Sequence, residues 1–124
     1  MWTRTGTQDF MSPEMFESAG YTEAVDIWAI GVIAYLLLSG RLPFDQEYIS
    51  DKVEFIRAGN YNTEYIRNID DVPKDFIRRM LRKEPTERLT AVEALAHPWF
   101  LVDYEKNLKV RSDLKVAKSK YNNN

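Results

Sequence analysis

Asp26–Gly40 reads Asp-Ile-Trp-Ala-Ile-Gly-Val-Ile-Ala-Tyr-Leu-Leu-Leu-Ser-Gly, and from Ile27 to Leu38 it carries no charged side chain. A helix built from these residues is apolar on every face, so it is expected to be surrounded by the rest of the chain rather than to lie on a surface. A membrane span is the competing reading. It needs about 20 apolar residues, whereas this run is stopped by Asp26 on one side and by Arg41-Leu42-Pro43 on the other. Ser39-Gly40 supplies a helix stop, and Pro43 prevents the helix from resuming. The stretch is expected to be the central helix of a core.

The composition of the 124-residue chain agrees with one globular domain, at 44% hydrophobic and 29% charged residues. With no cysteine in the chain, neither a disulfide framework nor a thiolate metal site can form. Met1-Trp2-Thr3-Arg4 lacks the apolar segment of a signal peptide, so an intracellular, cytoplasmic setting is the expectation. A net charge of −2 argues against nucleic acid as the main partner.

Outward from the central helix, Met1–Phe10 has no periodicity and reads as an extended loop. Ser12-Pro13-Glu14 reads as a helix start, with the helix running to about Ser18. Thr22 is the expected cap of the central helix. Gln46–Ala58 places Ile49, Val53, Phe55 and Ile56 near helical spacing, with Gly59 as the stop. Tyr61–Asp71 reads as loop, Pro73–Leu81 as a one-sided helix, and Ala91–Ala96 as a helix capped by Thr90. No β-alternation of useful length occurs, so the fold class is all-α.

Five motifs now stand in order: Gly6-Thr7-Gln8-Asp9-Phe10-Met11-Ser12-Pro13-Glu14, Asp26-Ile27-Trp28-Ala29-Ile30-Gly31, Leu42-Pro43-Phe44, Arg88 after Glu84-Pro85-Thr86, and His97-Pro98-Trp99-Phe100. Together they resemble the distal half of a protein kinase catalytic domain, most closely that of the calmodulin-dependent serine/threonine kinases. The resemblance implies a kinase-like C-lobe, truncated and without a small lobe, over residues 1–102. A basic tail over residues 103–124 follows it.

The resemblance also assigns roles. Ser12-Pro13-Glu14 matches the signature that closes the activation segment, and Glu14 and Arg88 match the family's buried ion pair. Asp26 resembles the aspartate that holds the backbone of the catalytic loop. Gly6, Thr7 and Phe10 belong to the loop that receives the residue after the phosphoacceptor. Thr3 resembles an activation-loop threonine phosphorylated by upstream kinases.

Phosphoryl transfer in this family uses a Gly-rich loop, a strand lysine paired with a helix glutamate, a His-Arg-Asp loop and an Asp-Phe-Gly aspartate. None occurs in these 124 residues: the one histidine, His97, precedes Pro98, and Asp9-Phe10 is followed by Met11. No catalytic residue and no metal ligand is expected here. ATP and magnesium belong to the parent family, not to this chain. The expected identity is therefore a catalytically inactive fragment of a calmodulin-dependent-type kinase. A stand-alone module that binds kinase substrates or calmodulin is the alternative.

The segment from Lys106 to Lys120 carries six Lys or Arg against one Asp. Within and just beyond it, Val110, Leu114, Ala117 and Tyr121 form one helical stripe among the basic residues. Such a basic amphipathic segment suits calmodulin or an anionic surface, and its sequence is similar to the start of the autoregulatory segment of calmodulin-dependent kinases. A second expectation concerns the central helix. In a complete lobe, elements preceding Met1 cover part of it, so the faces of Trp28, Ile30 or Leu37 should lose cover here and drive self-association.

Overall fold

The computed structural model describes residues 6–17, 20–100 and Asp113, and among these the regular structure is helical. Helix α1 spans Ala24–Ser39 and ends at Gly40, whose φ of 74° lies in the left-handed region that glycine adopts without strain. Helix α2 spans Ile49–Ala58 and closes on Gly59 at φ 69°, with Gly59 N donating to Ile56 O and Asn60 N to Phe55 O. Helix α3 spans Asp71–Met80. The short helix α4, Ala91–Leu95, is capped by Thr90, whose hydroxyl accepts from Glu93 N while the Glu93 carboxylate accepts from Thr90 N. Single 3-10 turns lie at Thr7–Phe10, Pro13–Phe16, Glu64–Ile66 and Pro85–Glu87.

The core forms where α1 crosses α3. Trp28, Val32 and Tyr35 of α1 meet Phe76, Ile77 and Met80 of α3, together with Phe44, Ile56 and Leu81, all buried. Each such side chain contributes about 1.5–3 kcal/mol through apolar burial. The crossing is close at Gly31, where an added Cβ would sit 2.9 Å from Leu81 Cδ2 and 3.0 Å from Met80 Cβ. Trp28 stacks on Phe44 at 5.8 Å between ring centroids. The Tyr35 hydroxyl donates to the Asn62 carbonyl, and Asn62 N donates to Pro43 O, so the segment after α2 is tied back to α1 and to the Leu42-Pro43-Phe44 motif.

Several boundaries differ from the sequence expectation. Residues 13–16 form a 3-10 turn in place of a helix to Ser18, because Glu17 already has the extended φ/ψ of −109° and 159°. Thr22 supports α1 from one position outside the cap: its hydroxyl accepts from Ala24 N while Glu23 occupies the cap. Helix α3 begins at Asp71, two residues before Pro73, since a proline in the first turn lacks only an N–H that has no intrahelical partner there. A turn at Glu64–Ile66 buries Ile66 within the segment expected to be loop.

The central helix is not covered all round. Ile30, Ile33 and Leu37, spaced three and four residues apart on one face, are 44%, 45% and 79% exposed. Trp28, expected to share that exposure, is instead fully buried between Phe44 and Arg88.

Candidate functional site

The loop Gly6–Phe10 owes its shape to one carboxylate. Asp9 Oδ2 accepts from Gly6 N at 2.8 Å, and Asp9 N donates to Gly6 O at 3.1 Å, which closes the 3-10 turn on itself. Asp9 Oδ1 lies 2.5 Å from Lys52 Nζ on α2, with the aspartate side chain wholly buried and the lysine side chain 10% exposed. Both carboxylate oxygens are thus engaged inside the protein. Phe10 packs against the core, so the turn is anchored at both ends.

Glu14, which follows this loop in sequence, pairs with Arg88. Arg88 Nη1 and Nη2 donate to Glu14 Oε2 and Oε1 at 2.6 and 2.7 Å, a parallel two-point pair. The rest of the guanidinium is used as well: Nη1 donates to Ala24 O, Nη2 to Lys83 O and Nε to Arg82 O. Its plane also sits 5.0 Å over the Trp28 ring. One side chain therefore joins the turn at Pro13–Phe16, the start of α1 and the segment leaving α3. Burial pushes the Glu14 carboxyl up, but the Arg88 hydrogen bonds and charge outweigh it, and the group titrates below its usual range.

Asp26 projects from the first turn of α1, exposed, at the rim of a cavity of about 670 Å³ walled by Ile27, Ile30, Leu89 and Ala91. His97 is buried against Asp75, with Nε2 2.8 Å from Oδ2, while His97 Nδ1 accepts from Trp99 N. That second bond fixes the tautomer: Nε2 carries the proton and donates to Asp75. His97 foremost, with Arg78 and Arg79, holds the Asp75 carboxyl down to about 2. Phe76 packs edge-on against His97, Trp99 and Phe100 at 5.0–5.2 Å, so the His97–Phe100 motif closes the end of α3.

The geometry brings Glu14 to Arg88, and Asp26 lines the same cavity as Arg88; Gly6–Phe10 is tied instead to α2 through Asp9 and Lys52. Thr3, Val110, Leu114, Ala117 and Tyr121 lie outside the described residues. Two pairings were not anticipated from sequence, Asp9–Lys52 and Asp75–His97. For the first a signal existed, because Lys52 falls between Ile49 and Ile56 on the apolar side of α2, where a lysine needs a partner.

The donor set of the described residues does not fit magnesium. Among the described residues no three His, Asp or Glu side chains converge as a metal group would require. Asp9, the acid beside Phe10, is consumed by Lys52 and Gly6.

Comparison with known proteins agrees with this geometry. Residues 1–100 match the protein kinase domain family. The chain is 42% identical over 106 residues to calcium/calmodulin-dependent protein kinase cmkB of Emericella nidulans, covering 83% of this chain and 26% of that protein. It is 44% identical over 101 residues to calcium/calmodulin-dependent protein kinase type I of Schizosaccharomyces pombe, covering 80% and 30%. Serine/threonine-protein kinase H1 of Homo sapiens is 42% identical, with 80% and 24% covered. Among solved structures, titin kinase with its flanking domains superposes with a TM-score of 0.72 at 35% identity over 77% of this chain and 18% of that one. The Rad53 kinase domain with AMPPNP superposes with a TM-score of 0.70 at 32% identity, covering 74% and 38%. The chain thus spans between 24% and 30% of the length of these curated relatives. With the match covering most of its residues and the helical order shared, the chain belongs to the protein kinase family, as a distal C-lobe segment.

Proposed function

We propose that this chain is the substrate-facing scaffold of a calmodulin-dependent-type serine/threonine kinase domain, and that alone it transfers no phosphate. One observation carries the reading: the Gly6–Phe10 loop is held in one shape by Asp9, bonded to Gly6 N and to Lys52, and the segment that follows it in sequence is fixed by the Glu14–Arg88 pair. The parent activity is ATP- and magnesium-dependent phosphorylation of protein Ser/Thr. The sequence holds no Gly-rich phosphate loop, and among the described residues no group of carboxylates converges to orient that transfer. Gly6, Thr7 and Phe10 face the substrate, Asp26 steadies a catalytic loop that this sequence does not contain, and Thr3 is a phosphorylation site.

The basic segment 103–124 is the second binding element. Its stripe of Val110, Leu114, Ala117 and Tyr121 amid Lys and Arg suits calcium-loaded calmodulin, in line with the names of two relatives. Partners are accordingly calmodulin and protein substrates, in a cytoplasmic setting. Among the described residues no helix is long and apolar enough to cross a membrane.

The substrate reading is tested by photo-crosslinking. A benzophenone amino acid replaces Phe10 in the full chain, and the probe is a serine-containing peptide with an apolar residue after the serine. Capture competed by the unlabelled peptide supports the reading. Equal capture by a control helix-surface position, Glu54, overturns it.

A further inference from the structure

A four-residue 3-10 turn does not hold itself together in water, because so short a run forms too few hydrogen bonds to offset the ordering of its backbone. The turn Thr7–Phe10 is bounded by the backbone bonds Asp9 N to Gly6 O and Met11 N to Gln8 O. Beside the packing of Phe10 on the core, its one side-chain hydrogen bond to another helix among the described residues is Asp9 to Lys52, 43 positions away. Helix α2, which carries Lys52, is itself held firmly: Ile56 is buried, and the Gly59 close sits against Lys83, where an added Cβ would meet Lys83 Cβ at 2.9 Å. The aspartate is fully enclosed and the ammonium nearly so, which makes the pair expensive to leave half-made.

We propose that Lys52 is a positioning residue for the substrate-facing loop: its ammonium clamps Asp9, so that Gly6–Phe10 and α2 hold one fixed relation and α2 sets where the loop presents itself. This rests on the reading of Gly6–Phe10 as substrate-facing. Lys52 touches no substrate; it acts through Asp9, whose other oxygen holds the Gly6 amide.

The test is amide hydrogen exchange on the full chain, comparing Asp9 and Met11 in the loop with Val32 and Tyr35 in α1. In Lys52→Met the loop amides should accelerate relative to the α1 amides by about tenfold or more, the signature of local opening. Lys52→Arg, which keeps a cation within reach, should hold that ratio within about threefold of the parent. If Lys52→Met does not fold, Lys52→Met with Asp9→Asn leaves no unpaired buried charge and permits the same comparison. Loop and α1 amides that shift together, or loop amides that do not shift, would overturn the clamp, because either result makes the pair a general contributor to stability. A clamp found in a chain whose Phe10 position captures no substrate peptide would preserve this inference and remove only the substrate reading.

Discussion

Arg88 donates two hydrogen bonds to Glu14 across 74 positions of sequence, and the five N–H groups of its guanidinium all find acceptors. The arrangement requires arginine: lysine has three donors on one atom and cannot make the planar two-point contact. Arg88→Ala should lower the unfolding free energy by about 3–5 kcal/mol, since Glu14 is left buried and unpaired. Arg88→Lys should fall between the two. Urea denaturation reads both, and a loss below about 1 kcal/mol for Arg88→Ala would place the pair in solvent.

Acid should weaken the fold through two carboxylates. Glu14 and Asp75 both titrate below their ordinary values, the first because Arg88 outweighs its burial and the second chiefly through His97. A depressed group stabilises the fold above its unfolded pKa and loses that contribution as pH falls through the folded one. For Asp75 the window runs from its ordinary value of 3.8 down to about 2. Thermal melts between pH 5 and pH 2 should fall more steeply for the parent chain than for Asp75→Asn, and parallel curves would refute the assignment.

Self-association should run through α1. Ile30, Ile33 and Leu37 lie along one exposed row, and contiguous apolar surface of this kind favours burial against a second copy. Leu37→Glu, at the most exposed position, should move the sedimentation profile toward monomer. Trp28→Phe should leave association unchanged, because Trp28 is internal. Identical profiles for the parent and Leu37→Glu would assign any association to another surface.

Most of the architecture could be read from local chemistry. The uncharged run Ile27–Leu38, the glycine closes at Gly40 and Gly59, and the Thr90 capping box each depend on residues within one or two turns, so their spacing carries the information. The membrane-length argument separated α1 from a span for the same reason. Long-range choices were less accessible. Which face of a uniformly apolar helix is covered depends on what packs there, and the sequence of α1 does not distinguish Trp28 from Leu37. Lys52 and Asp9 illustrate the same limit, because a lysine on an apolar stripe signals that a partner exists without saying where. Glu14 and Arg88 were paired through family resemblance and not through spacing. The 3-10 turn at Pro13–Phe16 carries the same cap residues as an α-helix and differs only in stopping at Glu17.

The central claim, a kinase C-lobe segment that holds the substrate side without the nucleotide side, is tested most directly by one measurement on the purified full chain. Radiolabelled ATP with magnesium is incubated with the chain and a serine-containing protein substrate, with the melting temperature followed in parallel. The account predicts no incorporation of label and no magnesium-ATP-dependent shift in melting. Label transferred to the substrate, together with a nucleotide-dependent rise in melting temperature that survives repurification, would contradict it.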